Sequence, residues 1–357
     1  MEGPIIDPLV SIVIVNFNGV KFLQSCLEAV WQCDYLDFEV IVVDNGSTDS
    51  SRDLLRHSEA QHSNLKTIFL PENLGPSAAR NYGARAAKGM YFAFLDNDTR
   101  PQPGWLTSAV KTLSEDTRRG ACQCKLLLED TDGIIDCIGE YLGQNGFLVQ
   151  AAIAGQERDF GQHDQVKSIL AAKSAAMVVT REAFIAAGGF DDDYFIYLED
   201  TDLCWRIWLS GFQVITVPTS VVHHHFGTSS VILPDRINFL VKYYGCRNYV
   251  LTILKNAGPG LLFRLLPIHV MLWIGLAFYH LSRGQVKSAQ WILQALFWIG
   301  SHPRIVLAKR QKVQSLRRVS DKAFIPSVFR HRPFGYYLAK IGPARAVGNT
   351  LGWDKGR

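Results

Sequence analysis

The chain has 357 residues, 48% hydrophobic and 20% charged, the composition of a globular protein with ample apolar residues for a core. Its net charge of +4 hides a division. Residues 241–357 hold 19 Lys and Arg against Asp321 and Asp354 alone, whereas the 240 residues before them hold 18 basic and 31 acidic side chains. The acidic part is a poor nucleic-acid binder; the basic part suits an anionic surface, a membrane first of all. Seven cysteines, an odd number without C-x-x-C spacing, argue against a disulfide framework or a zinc site and for a reducing compartment. Met1–Val10 has no basic n-region and no long apolar run, so no signal peptide is read and cytoplasmic residence is expected.

Strands and helices alternate through the first 130 residues. Val10–Val15 is expected as a buried strand, Lys21–Trp31 as a helix, and Phe38–Val43 as a second strand. Thr48–His57 follows as a helix capped by Ser47 or Thr48. Lys66–Leu70 is a third strand, Ser77–Ala87 a helix and Tyr91–Leu95 a fourth strand. This order implies an α/β fold with a mostly parallel sheet flanked by helices. Beyond residue 120 the pattern loosens. Gly133–Gln150 reads as a hairpin turning at Asn145-Gly146, Ala175–Thr180 as a strand, Glu199–Leu209 as a helix, and Gln213–Val217 and Val221–His224 as strands.

From Leu261 the character changes. Leu265–Leu281 is a 17-residue apolar run containing His269 and flanked by Arg264 and Arg283; a spanning helix needs roughly 20 such residues. Ser288–Gly300 carries Trp291 and Trp298, and Arg304–Lys322 holds seven basic residues and one acid. Apolar helices followed by a polybasic stretch fit an interfacial anchor. The plainer alternative is a pair of helices packed on the rest of the protein with a solvated basic face.

Ligands of open parallel sheets bind beyond the carboxyl ends of the strands. Asn16 and Asn18 follow the first strand, Asp44 the second, and Asp96-Asn97-Asp98 the fourth. Any one of these acids serves equally well as a cap or turn former. Asp96 and Asp98 together repel unless a cation lies between them, and hard oxygen ligands suit Mg or Mn. No G-x-G-x-x-G follows the first strand and no P-loop motif occurs, which removes dehydrogenase and P-loop chemistry. A cation bridging a departing diphosphate remains as the reading.

SIVIVNFNG, VIVVDNGSTDSS, NLGPSAARNYGARAAKG, FAFLDNDTRP, GGFDDDYFIYLEDTDLCWRIW and PTSVVHHHFG, in that order, resemble the family 2 glycosyltransferases of the GT-A fold, nearest to a rhamnosyltransferase-like branch. The likeness covers about residues 9–230, and the region after 240 resembles that branch's tail more weakly. It implies a catalytic domain over 1–235 and a helical, basic, possible membrane-association region over 236–357. It also implies an inverting transfer of a sugar from a nucleotide-diphosphate donor to a glycan or lipid-linked acceptor in cell-surface polysaccharide synthesis, on the inner face of the membrane. The branch suggests dTDP-rhamnose, although a uracil nucleotide satisfies Asp44 equally.

The resemblance assigns Asp44 to the nucleotide base, with Asn16 and Asn18 beside it, and turns Arg80 toward the diphosphate. It gives Asp98 to the metal and Asp96 to the ribose or the metal. His224, in H-x-x-G with Gly227, would be a nitrogen ligand; the three histidines 223–225 blur its register, although strand alternation points it away from both neighbours. Asp200 becomes the general base and Glu199 its orienting partner. Acids in a first helical turn are also favoured by the helix dipole, and Asp202 can pair with Arg206 at i,i+4. The competing readings are a non-catalytic nucleotide-sugar or glycan-binding partner in a membrane assembly, and a nucleotidyltransferase. The latter lacks a glycine-rich basic loop after its first strand.

Overall fold

The computed structural model describes residues 8–152, 155–225, 236–333 and 336. The first seven elements fall where their patterns put them: β1 (Val10–Asn16), α1 (Val20–Trp31), β2 (Phe38–Asp44), α2 (Ser51–Gln61), β3 (Leu65–Phe69), α3 (Pro76–Ala86) and β4 (Tyr91–Asp96). Helix α2 starts three residues later than expected, because Ser47 and Thr48 are engaged elsewhere. The Ser47 hydroxyl accepts from the Asn18 amide at 2.8 Å, and Thr48 N–H donates to the Asn18 side chain at 2.7 Å. Asp49 takes over at the helix entrance, accepting from Ser51 N–H and from Val20 N–H at the start of α1.

The middle of the chain holds elements its pattern did not announce. These are β5 (Thr99–Pro101), α4 (Trp105–Ser114), β6 (Arg119–Leu128) and β7 (Ile135–Cys137). The expected hairpin is shorter than 133–150. It consists of β8 (Glu140–Gly143) and β9 (Leu148–Gln150), turning through Gly146 at φ +84°, while β7 pairs with β6 instead. Then come β10 (Ala176–Thr180), α5 (Arg181–Ala186), α6 (Glu199–Leu209) and β11 (Gln213–His224). The two strands expected at 213–224 are one, with an irregular register between Val217 and Val221. Pro218, which has no N–H to give the ladder, lies in that break.

The main sheet runs β3-β2-β1-β4-β10-β6-β11-β5. Its first four strands are parallel, but β10 is antiparallel to both β4 and β6, and β5 to β11, so the second half is mixed. Alternate residues of one strand serve two cores. Ile12 and Ile14 of β1 meet α1, α2 and α4 on one face, and Val13 meets α3 and α6 on the other.

The tail comprises a π turn (Leu240–Tyr244), α7 (Gly245–Asn256), α8 (Pro259–Ser282), α9 (Val286–Ser301), α10 (Pro303–Ser315), α11 (Asp321–Val328) and β12 (Phe329–Arg330), which pairs with β8. Ile253, Leu265, Val313, Phe324 and Val328 of the tail lie in the same buried cluster as Val13 and Phe94 of the sheet. Its basic stretch is only partly solvated. Lys309 pairs with Asp191 and Asp193, Arg310 donates to the carbonyls of Leu254 and Ala257, and Arg317 pairs with Asp321. Those three side chains work inside the protein rather than facing an anionic surface.

Candidate active site

Parallel register brings three strand ends level: Asn16 stands beside Asp44, and Val15 beside Asp96. Above them opens a crevice of about 600 Å³ whose walls include Phe17, Asn45, Asn73, Arg80, Asp96 and Asp98. Asn16, Asn18 and Asp44 do not line this crevice. The buried Asp44 carboxylate accepts from Asn16 Nδ2 at 3.0 Å, Ser47 N–H at 3.1 Å and Arg52 Nε at 2.9 Å. Asn16 in turn accepts from Asn97 Nδ2 at 2.6 Å. Asn18 has a left-handed backbone, φ 49°, and shapes the turn after β1. The neighbouring amides of Asn45 and Asn73, bonded to each other at 2.9 Å, reach the crevice instead.

Arg80 is no surface residue. It is 4% exposed, and its guanidinium joins two parts of the site, meeting Asp96 at 2.7 Å and Glu199 at 3.0 Å. Small neighbours on α3, Ser77, Ala78 and Ala79, let that helix sit close enough for the bridge.

Asp96, Asp98 and His224 converge, each offering one ligand atom within 4.8 Å of the others. Two carboxylates and an imidazole are a fitting donor set for a divalent cation of the Mg or Mn kind, and the nitrogen is better tolerated by Mn. The arrangement of His224 supports that fit. Its Nδ1 meets the buried Asp136 carboxylate at 2.9 Å, leaving Nε2 turned toward Asp98 at 3.6 Å, which is how a second carboxylate commonly orients a ligating histidine. Burial disfavours a charged ring here, yet the Asp136 hydrogen bond and the Asp98 charge hold its pKa up, to about 9. Of the three histidines His224 faces the acid pair, whereas His223 contacts Gln102 and His225 pairs with Glu129 against Phe22. Gly227 lies outside the described residues. Asp136→Asn is expected to weaken Mn2+ binding about 10–100-fold, measured by calorimetric titration; an unchanged affinity would remove Asp136 from this role.

Opposite ends of Arg80 link this cluster to the start of α6. Tyr197 and Leu198 are both left-handed, φ 67°, a strained entrance for residues with side chains. Asn248 of α7 holds it, donating to the carbonyls of Ile196 and Tyr197 at 2.8 Å each. The bend delivers Glu199 and Asp200 to the crevice. Asp200 accepts from Thr201 N–H at 2.7 Å and Ser174 N–H at 3.3 Å. Burial raises its pKa, opposed by Arg80, those two amides and Lys173. Burial and the adjacent Asp200 raise Glu199, opposed by Arg80. One buried oxygen of Glu199 has no partner among the described residues. Asp202 faces the other way, fully buried against Arg206, Lys255 and Asn256.

Five crevice-side residues escaped sequence reasoning: Asp136, Glu140, Lys173, Tyr249 and Trp273. The first three fall where strand periodicity is weak. Tyr249 and Trp273 lie in a tail whose apolar pattern points to a surface rather than a site.

The fold is that of the GT-A glycosyltransferases. Over 99% of this chain and 89% of its own, the mannosyltransferase PcManGT from Pyrobaculum calidifontis, solved with GDP-Man and Mn2+, superposes with a TM-score of 0.53 at 19% identity. Residues 11–131, about a third of the chain, match the family model Glycosyl transferase family 2. Among named relatives, glycosyltransferase AglE of Haloferax volcanii is 38% identical over 30% of this chain and 36% of its own. The putative glycosyltransferase EpsH of Bacillus subtilis is 26% identical over 63% of each chain. The likeness thus spans between about a third and just under two thirds of these relatives. The Glu199-Asp200 segment lies beyond the matched family domain.

Proposed function

We propose that the chain is an inverting, metal-dependent glycosyltransferase, with the reaction carried by residues 1–235 and the helical tail by 236–357. It moves a sugar from a nucleoside-diphosphate donor to a glycan or lipid-linked glycan acceptor in cell-surface polysaccharide synthesis. The observation that carries this reading is the meeting, in one crevice, of the Asp96–Asp98–His224 cluster and Asp200. A divalent ion held by those three side chains would supply positive charge at the departing diphosphate. Asp200 takes the proton from an acceptor hydroxyl as that oxygen bonds to the anomeric carbon. The bond from that carbon to the diphosphate breaks, and its electron pair leaves on the phosphate oxygen. A single displacement inverts the centre, with no second carboxylate needed as nucleophile. Arg80 fixes the spacing between the two halves by gripping Asp96 and Glu199.

The Asp44 carboxylate already pairs with Arg52 at 2.9 Å, so a uracil or thymine base bound there would share it with that guanidinium. The rhamnosyltransferase-like pattern puts dTDP-rhamnose first in a donor panel, beside UDP- and GDP-sugars. The test is hydrolysis of that panel with Mn2+, and again after EDTA. Turnover of one donor that EDTA stops and Mn2+ restores is expected; equal rates in EDTA would sink the metal assignment.

The tail supports peripheral attachment to the cytoplasmic face of a membrane. Helix α8 is 24 residues long and contains an 18-residue window of mean hydropathy 1.9. Phe263, Met271, Ile274, Phe278 and Leu281 share one exposed face by helical spacing, while Leu265, His269 and Trp273 pack inward. One face on protein and one on lipid describe a helix lying in the interface. Full-length protein should co-sediment with phosphatidylglycerol vesicles, and a Phe263→Asp/Phe278→Asp double variant should stay in the supernatant. Equal sedimentation of the two proteins would refute lipid contact through this face.

A further inference from the structure

We infer that Tyr249 and Trp273 of the tail, together with Glu140 and Lys173, form the acceptor subsite, and that it takes an uncharged pyranose terminus. The inference rests on the transferase reading. Those four residues line the same crevice as Asp200. Lys173 is within electrostatic reach of Asp136, Glu140 and Asp200, and Tyr249 of Glu140 and Asp200.

Their chemistry suits a sugar ring. Tyr249 and Trp273 belong to one aromatic group with Phe147, whose ring centroid lies 5.0 Å from Tyr249 and 5.6 Å from Trp273. Aromatic surface of this kind packs against the C–H face of a pyranose, and polar groups at its edge read the hydroxyls. Two donors are available there. Tyr249 Oη accepts from Leu148 N–H at 3.4 Å, and its own proton has no acceptor among the described residues. The Lys173 ammonium carries three N–H groups and bonds to no side chain or carbonyl among them. Trp273 is anchored by its indole N–H on His269 Nε2 at 3.0 Å, so the ring is a fixed wall rather than a hinged one.

Charge decides what kind of sugar. Near Lys173 and Arg80 stand Asp136, Glu140, Glu199 and Asp200, and His224 adds a third cation already shared between Asp136 and Asp98, so carboxylates outnumber the cations. Arg80 is already spanned between Asp96 and Glu199. A uronate or a phosphorylated sugar would bring further negative charge into this surplus and be repelled. A neutral ring adds none, and its hydroxyls accept from Lys173 and Tyr249 while donating to Glu140 and Asp200.

The experiment uses the full-length protein with Mn2+ and UDP. Binding of a panel of neutral methyl pyranosides and their matching methyl uronides is followed by saturation-transfer NMR. At least one neutral pyranoside is expected to bind, its uronide at least tenfold more weakly. Tyr249→Phe and Trp273→Leu should each weaken the neutral sugar at least fivefold while UDP affinity holds, and Lys173→Met should do the same without disturbing the aromatic wall. Tyr249→Phe removes a single oxygen, so a folding defect in Trp273→Leu leaves the test intact. Sugar binding unchanged in all three variants, or stronger binding of the uronide, overturns the inference. Failure of the wild-type protein to turn over any nucleotide sugar would strike the proposed reaction instead, and the sugar titration would still decide the subsite.

Discussion

Asp200→Asn is expected to cut sugar transfer by orders of magnitude while nucleotide binding survives. The change keeps the size of the side chain and one of its two accepting oxygens; Thr201 N–H, at 2.7 Å, is the closer of the two backbone donors and Ser174 N–H, at 3.3 Å on the other oxygen, the one more readily given up. It removes the ability to accept a proton. Loss of a positioned general base lowers rates by roughly 10²–10⁴-fold, and the expected fall in kcat lies in that range. Turnover within tenfold of wild type would take Asp200 out of the role. The wild-type pH profile gives a second check. Burial holds the Asp200 carboxyl above the usual carboxylate range. The base form therefore exists above that raised value, and the rate should drop as pH falls through it. An acid limb at or below the usual aspartate range would contradict the burial argument.

Asp202→Ala is expected to destabilise the fold by about 3–5 kcal/mol, the size seen when one partner of a buried charge pair is removed. Asp202 is fully buried and serves Arg206 at 2.8 Å, Lys255 at 3.1 Å and Asn256 at 2.9 Å. Lys255 is itself 1% exposed, and burial already lowers its pKa against the pull of Asp202 and Asp191. Without Asp202, Arg206 keeps only its bonds to the carbonyls of Ala187 and Gly189. Lys255 retains Asp191 and the face of the Tyr194 ring, 4.6 Å away. Urea unfolding of the two proteins measures the difference; a loss below about 1 kcal/mol would show that the remaining partners suffice.

Much of the first half was legible because its physics is local. Apolar β-branched runs separated by amphipathic stretches gave β1 to β4 and α1 to α3 with small boundary errors, and the strand ends then located Asp96 and Asp98. The misplaced start of α2 shows the limit. Ser47 resembles a cap in isolation, but its hydroxyl is taken by Asn16 and Asn18, some thirty residues earlier. Asp136 was invisible for the same reason: nothing near residue 136 announces a partner at His224. The tail was legible only as a choice between two readings. Its composition fitted an interfacial anchor or helices packed on the rest of the protein, but which residues make the packing, Lys255 on Asp202, Asn248 on Ile196 and Trp273 at the crevice, is held in no period or charge count. Residues read as deciding where the protein works also help to build the site.

The left-handed pair Tyr197–Leu198, gripped by Asn248, bears on how this scaffold can be re-engineered. Glycan-assembling catalysts invite modular exchange, one front half grafted onto another back half to redirect product. Here a cut near residue 236 would release the clamp that cocks α6, and Asp200 with it. A chimaera that keeps α7 with its native front half, and joins foreign sequence only after Asn256, preserves the clamp together with the Asp202–Lys255–Asn256 contacts. The usable seam therefore lies inside the tail, about sixteen residues past the point where the charge of the chain changes sign.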